Sequence, residues 1–167
     1  MPSGITLAQL HGVLQVVMGW TNSHLHKCIA KGVIYELPDH ESYVYEVHED
    51  ERKAVLEKIL TEPKNKLTYT YDFGDGWEHE VVLEAMAPFE PGGKYPWGVA
   101  GKRACPPEDV GGVWGYADML SALADPDDPE HEEVREWIGE SFDPEAFNAY
   151  ELNVALHGGW LPPESKL

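Results

Sequence analysis

The chain has 167 residues, 43% of them hydrophobic and 25% charged, which suits one domain with its own core and no need of disulfide or metal staples. Thirty acidic residues against twelve basic ones leave a net charge of −18, and only three arginines, Arg52, Arg103 and Arg135, stand far apart in sequence; this argues against nucleic acid, whose phosphates are held through clustered Lys and Arg. No apolar run approaches the ~20 residues that span a bilayer, and two cysteines, Cys28 and Cys105, with neither Cys-x-x-Cys spacing nor a secretory apolar segment, point to a reducing, cytoplasmic setting.

Thr6-Leu-Ala-Gln9 has the form of a capping box, with Ile5 and Leu10 placed as a hydrophobic staple. Leu7, Leu10, Leu14, Val17 and Met18 recur at helical spacing, and Gly19 supplies a left-handed stop, so residues 6–18 are expected to form a helix with one buried face. His11 lies on that face and reads as a hydrogen-bonded core histidine. The segment from His24 to Ala30 alternates with period two, and Val33-Ile34-Tyr35 follows a Lys31-Gly32 turn, which reads as a short hairpin. The stretch to Glu46 fits no single template. Glu49 to Leu60 places Val55, Leu56, Ile59 and Leu60 at helical offsets before Pro63 and reads as a second helix.

Tyr69-Thr-Tyr-Asp-Phe-Gly-Asp-Gly-Trp-Glu-His-Glu-Val-Val-Leu-Glu84 is a β-hairpin pattern open to two registers. A two-residue Asp75-Gly76 turn sets Asp72 opposite His79; this is the preferred register because it pairs a carboxylate with an imidazole. A three-residue Gly74–Gly76 loop instead puts Tyr69, Tyr71, Phe73, Trp77, His79, Val81 and Leu83 on one face but opposes Asp72 and Glu78. Residues 88–113 are rich in proline and glycine without periodicity and are expected to form a long ordered loop, a kind of segment that often carries function.

From Trp114 the pattern is helical. Tyr116, Met119, Leu120 and Leu123 share one face, and Asp128-Pro129 and Asp143-Pro144 read as N-cap and N1 pairs opening two further helices. Val134, Trp137 and Ile138, then Phe147, Tyr150 and Val154, are the expected apolar faces, and the tail from Gly158 is expected to fray. Asp125 to Glu145 holds ten acids and one arginine and reads as a solvated surface. The fold class that follows is a single α+β domain over 1–167: a mostly antiparallel sheet with the N-terminal helix packed on it and a C-terminal set of helices.

Ile5-Thr-Leu7, Leu10-His11, Met18-Gly-Trp-Thr-Asn-Ser-His-Leu-His26, the Tyr71-Asp-Phe-Gly-Asp-Gly-Trp-Glu-His79 hairpin, Cys105-Pro-Pro-Glu-Asp-Val-Gly-Gly112 and Phe142-Asp-Pro-Glu-Ala-Phe147 follow in order over nearly the whole chain. Together they resemble the plasmid pRiA4b ORF-3-like family. The resemblance implies an α+β domain that carries the label of a TnpR-type resolvase or an insertion-element passenger, a mobile-element setting without a known activity. Three dispersed arginines do not suit the Arg-rich centre of a recombinase, so a role as a DNA recombination accessory is the weakest of the readings. Family members usually begin with a further extended segment ending in a Pro-Pro-x-Trp-Arg-Arg-like run, which this chain lacks. Its absence is expected to leave a sheet edge open to a peptide or to a second copy of the chain.

Two constellations carry candidate chemistry. His24 and His26, two apart on an expected strand, present both imidazoles to one side, and with His79 they are the candidate ligands of a divalent metal cofactor; adding Asp72 gives the reading of a metal-dependent enzyme. Asp72, Asp75, Trp77, His79, Cys105, Glu108 and Asp109 are the candidate binding residues. Cys105, followed by Glu108 and Asp109, lacks the electropositive setting of a nucleophile and reads as structural. The aromatics Tyr69, Tyr71, Phe73, Trp77, Tyr95, Trp97 and Trp114 are expected in the core or lining a groove suited to a peptide. The favoured function is a noncatalytic interaction module for a protein or peptide, with its recognition surface formed by the 69–84 hairpin and the 88–113 loop.

Overall fold

The computed structural model describes residues 1–38 and 47–158. The elements run α1 (Leu7–Met18), β1 (His26–Ala30), β2 (Val33–Glu36), β3 (Val47–Asp50), α2 (Leu56–Ile59), β4 (Lys66–Tyr71), β5 (Trp77–Val82), α3 (Gly112–Ala124), α4 (His131–Ile138) and α5 (Ala149–His157). The five strands form one sheet in the order β3-β2-β1-β4-β5. Every pairing is antiparallel except β2 with β3. The architecture is the α+β arrangement expected: a mostly antiparallel sheet, an N-terminal helix on it and helices at the C-terminal end. None of the helices described is long and apolar enough to cross a membrane.

α1 begins as its sequence dictates. The Thr6 hydroxyl accepts from the Gln9 amide at 3.2 Å and the Gln9 side chain accepts from the Thr6 amide at 2.9 Å, so two otherwise orphaned donors are satisfied together. Gly19 closes the helix at φ 73°. Leu7 and Leu10 are fully buried against Cys28, Ala30, Tyr35, Leu67, Tyr69, Tyr71 and Trp77 on the covered face of the sheet. The opposite side of α1 is covered too: Val13 and Val16 pack with Leu156 and Leu152 of α5. Val17, expected on the buried face, is 41% exposed, because the second contact surface rotates the burial toward Val13 and Val16. The layers are therefore sheet, α1 and α5, with α3 and α4 paired beside them.

The expected helix over 49–60 is not formed. Asp50 ends β3, and only Leu56–Ile59 is helical. The backbone between them serves the N-terminal segment instead: Leu7 N donates to Ala54 O at 2.9 Å, Ala8 N to Glu51 O at 3.3 Å and Leu56 N to Ile5 O at 2.8 Å. Tertiary hydrogen bonding overrides the local period.

Neither expected hairpin register is adopted. Tyr71 pairs with Trp77 and Tyr69 with His79, which leaves residues 72–76 as a five-residue loop. The preferred Asp72–His79 pairing is thus overturned. Leu67, Tyr69, Tyr71, Trp77, His79 and Val81 do share one face, but Phe73 leaves it for the loop and is 49% exposed. Asp72 makes the wider loop: at φ 53° its Oδ1 accepts from the Gly74 and Asp75 amides and its carbonyl from Gly76.

At the C-terminal end, Glu130 rather than Asp128 is the N-cap of α4 and Asn148 rather than Asp143 that of α5. Asp128 and Asp143 instead accept from the amides two residues on, closing turns before the helices. Trp137, Phe147, Tyr150 and Val154, expected as apolar faces, are exposed; α5 buries Asn153 and Leu156. The Asn153 amide is bonded both ways to the backbone of Gly98, which moors the long loop to α5. The tail beyond Gly158 lies outside the described residues.

Two substitutions test this construction. Thr6→Ala is expected to cost about 1 kcal/mol through loss of the cap. Leu10→Ala is expected to cost roughly 2–5 kcal/mol through the cavity it leaves. Equilibrium urea unfolding measures both, and equal small losses would contradict the burial of Leu10 against the sheet.

Candidate functional site

The site is built outward from β4. Its alternation places Tyr69 and Tyr71, both fully buried, on the face covered by α1, and their hydroxyls reach beyond the apolar core into two different polar clusters.

The first cluster lies under α1 and its proton positions follow from one backbone amide. Asn22 N donates to Gln15 Oε1 at 2.8 Å, which fixes the Gln15 amide so that its Nε2 donates to the Tyr69 hydroxyl at 3.1 Å. Tyr69 then gives its proton to His11 Nδ1 at 2.8 Å, and His11 Nε2 donates to Asn22 Oδ1 at 2.7 Å. His11 is thus a neutral, doubly bonded core histidine. Its ring stacks on that of His26 at 3.4 Å and 2°, and His26 Nε2 bonds to Glu51 Oε2 at 2.9 Å. Burial, and after it the neighbouring His26, lowers the His11 pKa to about 4. Burial also raises the Tyr69 pKa.

The second cluster is a rim at the loop end of the sheet, where the two motif segments meet residues 21–24. The Tyr71 hydroxyl accepts from Ser23 N at 3.0 Å and donates to Glu108. The other oxygen of Glu108 accepts from the Thr21 hydroxyl and from Thr21 N. Partial burial opposes ionisation of Glu108, but the bonds from Thr21 and Tyr71 outweigh it and hold its pKa below the usual range. Trp20 stacks on Tyr71 at 4.6 Å and donates its indole proton to Pro106 O at 3.0 Å.

The hairpin tip and the glycine pair are fastened directly. Asp75 Oδ2 accepts from Gly111 N at 3.0 Å. Gly112, at φ 68°, lies so close that a Cβ there would run into the Asp75 carbonyl. Beside this joint, His24 Nε2 stands 3.2 Å from Asp109 Oδ1 and 3.7 Å from Asp72 Oδ2. Among the described residues, His24, Asp72 and Asp109 form a group whose potential metal-ligand atoms all lie within 4.8 Å of one another.

The candidate residues therefore separate. His24 and His26 do not face one site, because β1 starts only at His26; one imidazole belongs to the rim and the other to the buried cluster with His11 and Glu51. His79 packs edge-on against Trp20 at 5.6 Å, with Nδ1 buried and unbonded, and burial lowers its pKa. Trp77 is core, its indole nitrogen also buried and unbonded. Cys105 is partly buried, with Sγ 3.6 Å from Met18 Sδ, and burial followed by the charge of Glu108 pushes its thiol up to about 12, which disfavours the thiolate that a nucleophile needs. Asp72, Asp75, Glu108 and Asp109 all contribute to the rim. Sequence reasoning missed Gln15, Thr21, Asn22, Ser23 and Glu51, whose roles depend on partners in other elements and leave no local signal.

A family model described as plasmid pRiA4b ORF-3-like protein matches residues 1–151. The chain belongs to the plasmid pRiA4b ORF-3-like family. Its relatives include "Uncharacterized protein y4hQ" of Sinorhizobium fredii (strain NBRC 101917 / NGR234), 41% identical over 157 residues that cover 93% of this chain and 80% of that protein. The fold is similar to the crystal structure of MM3350, a protein of unknown function from Methanosarcina mazei Go1, with a TM-score of 0.82, 37% identity, and coverage of 90% of this chain and 85% of that one. None of these carries a described activity, so function has to be read from the rim itself.

Two expectations follow. The unfolded His11 imidazole protonates near its ordinary 6.5 and the folded one only near 4, so the unfolded state binds more protons between these values. Stability should fall as pH drops through that window, by up to about 3 kcal/mol, and a His11→Gln variant should lose that part of the slope in urea unfolding at pH 7 and pH 4.5. Gly112→Ala should destabilise by on the order of 1–3 kcal/mol and speed hydrogen exchange at the Gly111 amide, because it strains the backbone and pushes the Asp75 joint apart.

Proposed function

We propose that this protein is a noncatalytic binding module whose recognition surface is the acidic rim at the loop end of the sheet, and that its partner is a basic segment of a protein or peptide. The observation that supports this reading is the convergence of residues 21–24, 72–76 and 105–112 on one edge, which brings Asp72, Glu108 and Asp109 around His24. Exposed apolar side chains flank the acids: Phe73 is 49% exposed, and Trp114, at the start of α3, is 83% exposed. An aromatic surface beside carboxylates suits Lys and Arg side chains, which offer charge and an apolar stem together. The net charge of −18 steers such partners inward and repels phosphate backbones, so DNA is a poor ligand.

The alternative of a metal-dependent enzyme using His24, His26, Asp72 and His79 needs all four to converge. His24 and Asp72 meet, whereas His26 is committed to Glu51 and His79 packs on Trp20, which favours the module reading. Self-association through a sheet edge has less support. β5 is one of the two edges, and Glu78 and Glu80 on it set like charges against each other in a β5–β5 pair.

Selection of a random peptide library against the purified protein tests the proposal. Lys- and Arg-containing peptides should be enriched, bind more weakly at high salt, and lose at least tenfold in affinity with Trp114→Ala or Asp109→Asn, both at exposed positions. Enriched peptides that bind those variants unchanged would move the recognition surface elsewhere.

A further inference from the structure

We propose that His24, Asp72 and Asp109 form a binding site for a divalent first-row transition-metal ion, a ligand of the same rim that the module reading identifies as the functional face. Charge alone does not carry this, since carboxylates also cluster on solvated surfaces. The donor set is mixed, one imidazole nitrogen and two carboxylate oxygens, a combination that favours a borderline cation such as Zn²⁺ over the all-oxygen shells of Ca²⁺ and Mg²⁺.

The spacing also fits. A metal with bonds of about 2.0–2.2 Å sets neighbouring donors about 3.0–3.5 Å apart. His24 Nε2 is 3.2 Å from Asp109 Oδ1 and 3.7 Å from Asp72 Oδ2, and the three donors lie within 4.8 Å of one another, so the two aspartates have to close in around a bound ion.

The third observation is an unsatisfied atom. His24 Nε2 is buried and makes no hydrogen bond, although it sits between two carboxylates. Unlike His79 Nδ1 and Trp77 Nε1, which are also buried and unbonded, it faces two carboxylates, and a metal ion held between them would satisfy it.

The ligands are held in place before any ion arrives. Asp72 N donates to Leu25 O at 2.9 Å, which locks Asp72 beside the histidine segment. Its Oδ1 is taken by the Gly74 and Asp75 amides, which leaves Oδ2 toward His24. The Asp75–Gly111 bond anchors the loop that bears Asp109. The Asp109 side chain is 75% exposed, so the shell has three protein donors and an outward face where water or a partner's side chain can bind.

Protein without a histidine tag, stripped by chelator and dialysed, is titrated with Zn²⁺ by calorimetry, and Co²⁺ is added to a parallel sample to read its visible d–d bands. The expected result is one Zn²⁺ per chain and Co²⁺ bands showing a nitrogen ligand. His24→Gln, Asp72→Asn and Asp109→Asn should each weaken binding at least tenfold. Asn keeps the Asp72 turn acceptor and tolerates the left-handed backbone at both aspartates, and circular dichroism checks that each variant is folded. Glu132→Gln/Glu136→Gln, in the acidic surface of α4, should bind as the parent does. No saturable binding, or binding unchanged in the three rim variants, would overturn the site. A rim that takes no metal but still selects basic peptides keeps the module reading; one that binds Zn²⁺ while no peptide is selected overturns that reading alone.

Discussion

Two tyrosines, two residues apart on β4, hold both the packing and the rim of this protein in place. The rings of Tyr69 and Tyr71 fill the centre of the core, while each hydroxyl satisfies a separate polar cluster. A buried phenol has to find partners, and the partners each one finds differ. Tyr69 joins α1 to the sheet through His11 and Gln15. Tyr71 joins the 21–24 segment to the 105–112 loop through Ser23 and Glu108. Because the strand alternates, both hydroxyls emerge on the same side, and the order of the core is transmitted to loops that have little regular structure of their own.

The rim inherits its rigidity from this arrangement. Asp75 and Gly112 meet without space for a side chain, Trp20 caps the loop by donating to Pro106, and Asn153 holds Gly98 from the far side. Asp72 and Asp109 both adopt positive φ, a conformation that Asp tolerates better than most residues, and their side chains face His24. A loop lacking secondary structure is thereby built as a fixed surface.

The two polar clusters have opposite characters although the 21–24 segment contributes to both. Below α1 the groups from Gln15 through Tyr69 and His11 to Asn22 are each bonded to the next, so the cluster is closed and structural. At the rim Asp72 and Asp109 face one histidine whose Nε2 lacks a hydrogen bond, and the charge of Glu108 lies near it. Excess acceptors at a surface attract a cationic group, whereas a closed buried network resists change.

Local chemistry in the sequence determined α1 with its cap, the β1–β2 hairpin, the core aromatics of β4 and the class of the fold. Each rests on contacts between residues close in the chain, or on a period that one buried face imposes. The sequence also marked Asp72, Asp75, Glu108 and Asp109, because they stand in unusual Gly- and Pro-rich motifs. Only the tertiary structure decided that residues 51–55 would bind the N-terminal segment in place of forming a helix, and that His24 and His26 would part into different clusters. It alone widened the hairpin loop to five residues, since the tip must reach Gly111 and Gly112 while Tyr71 and Trp77 stay paired in the core. Those outcomes depend on groups as much as 87 positions apart, as between Thr21 and Glu108, and a local pattern carries no record of a partner that distant.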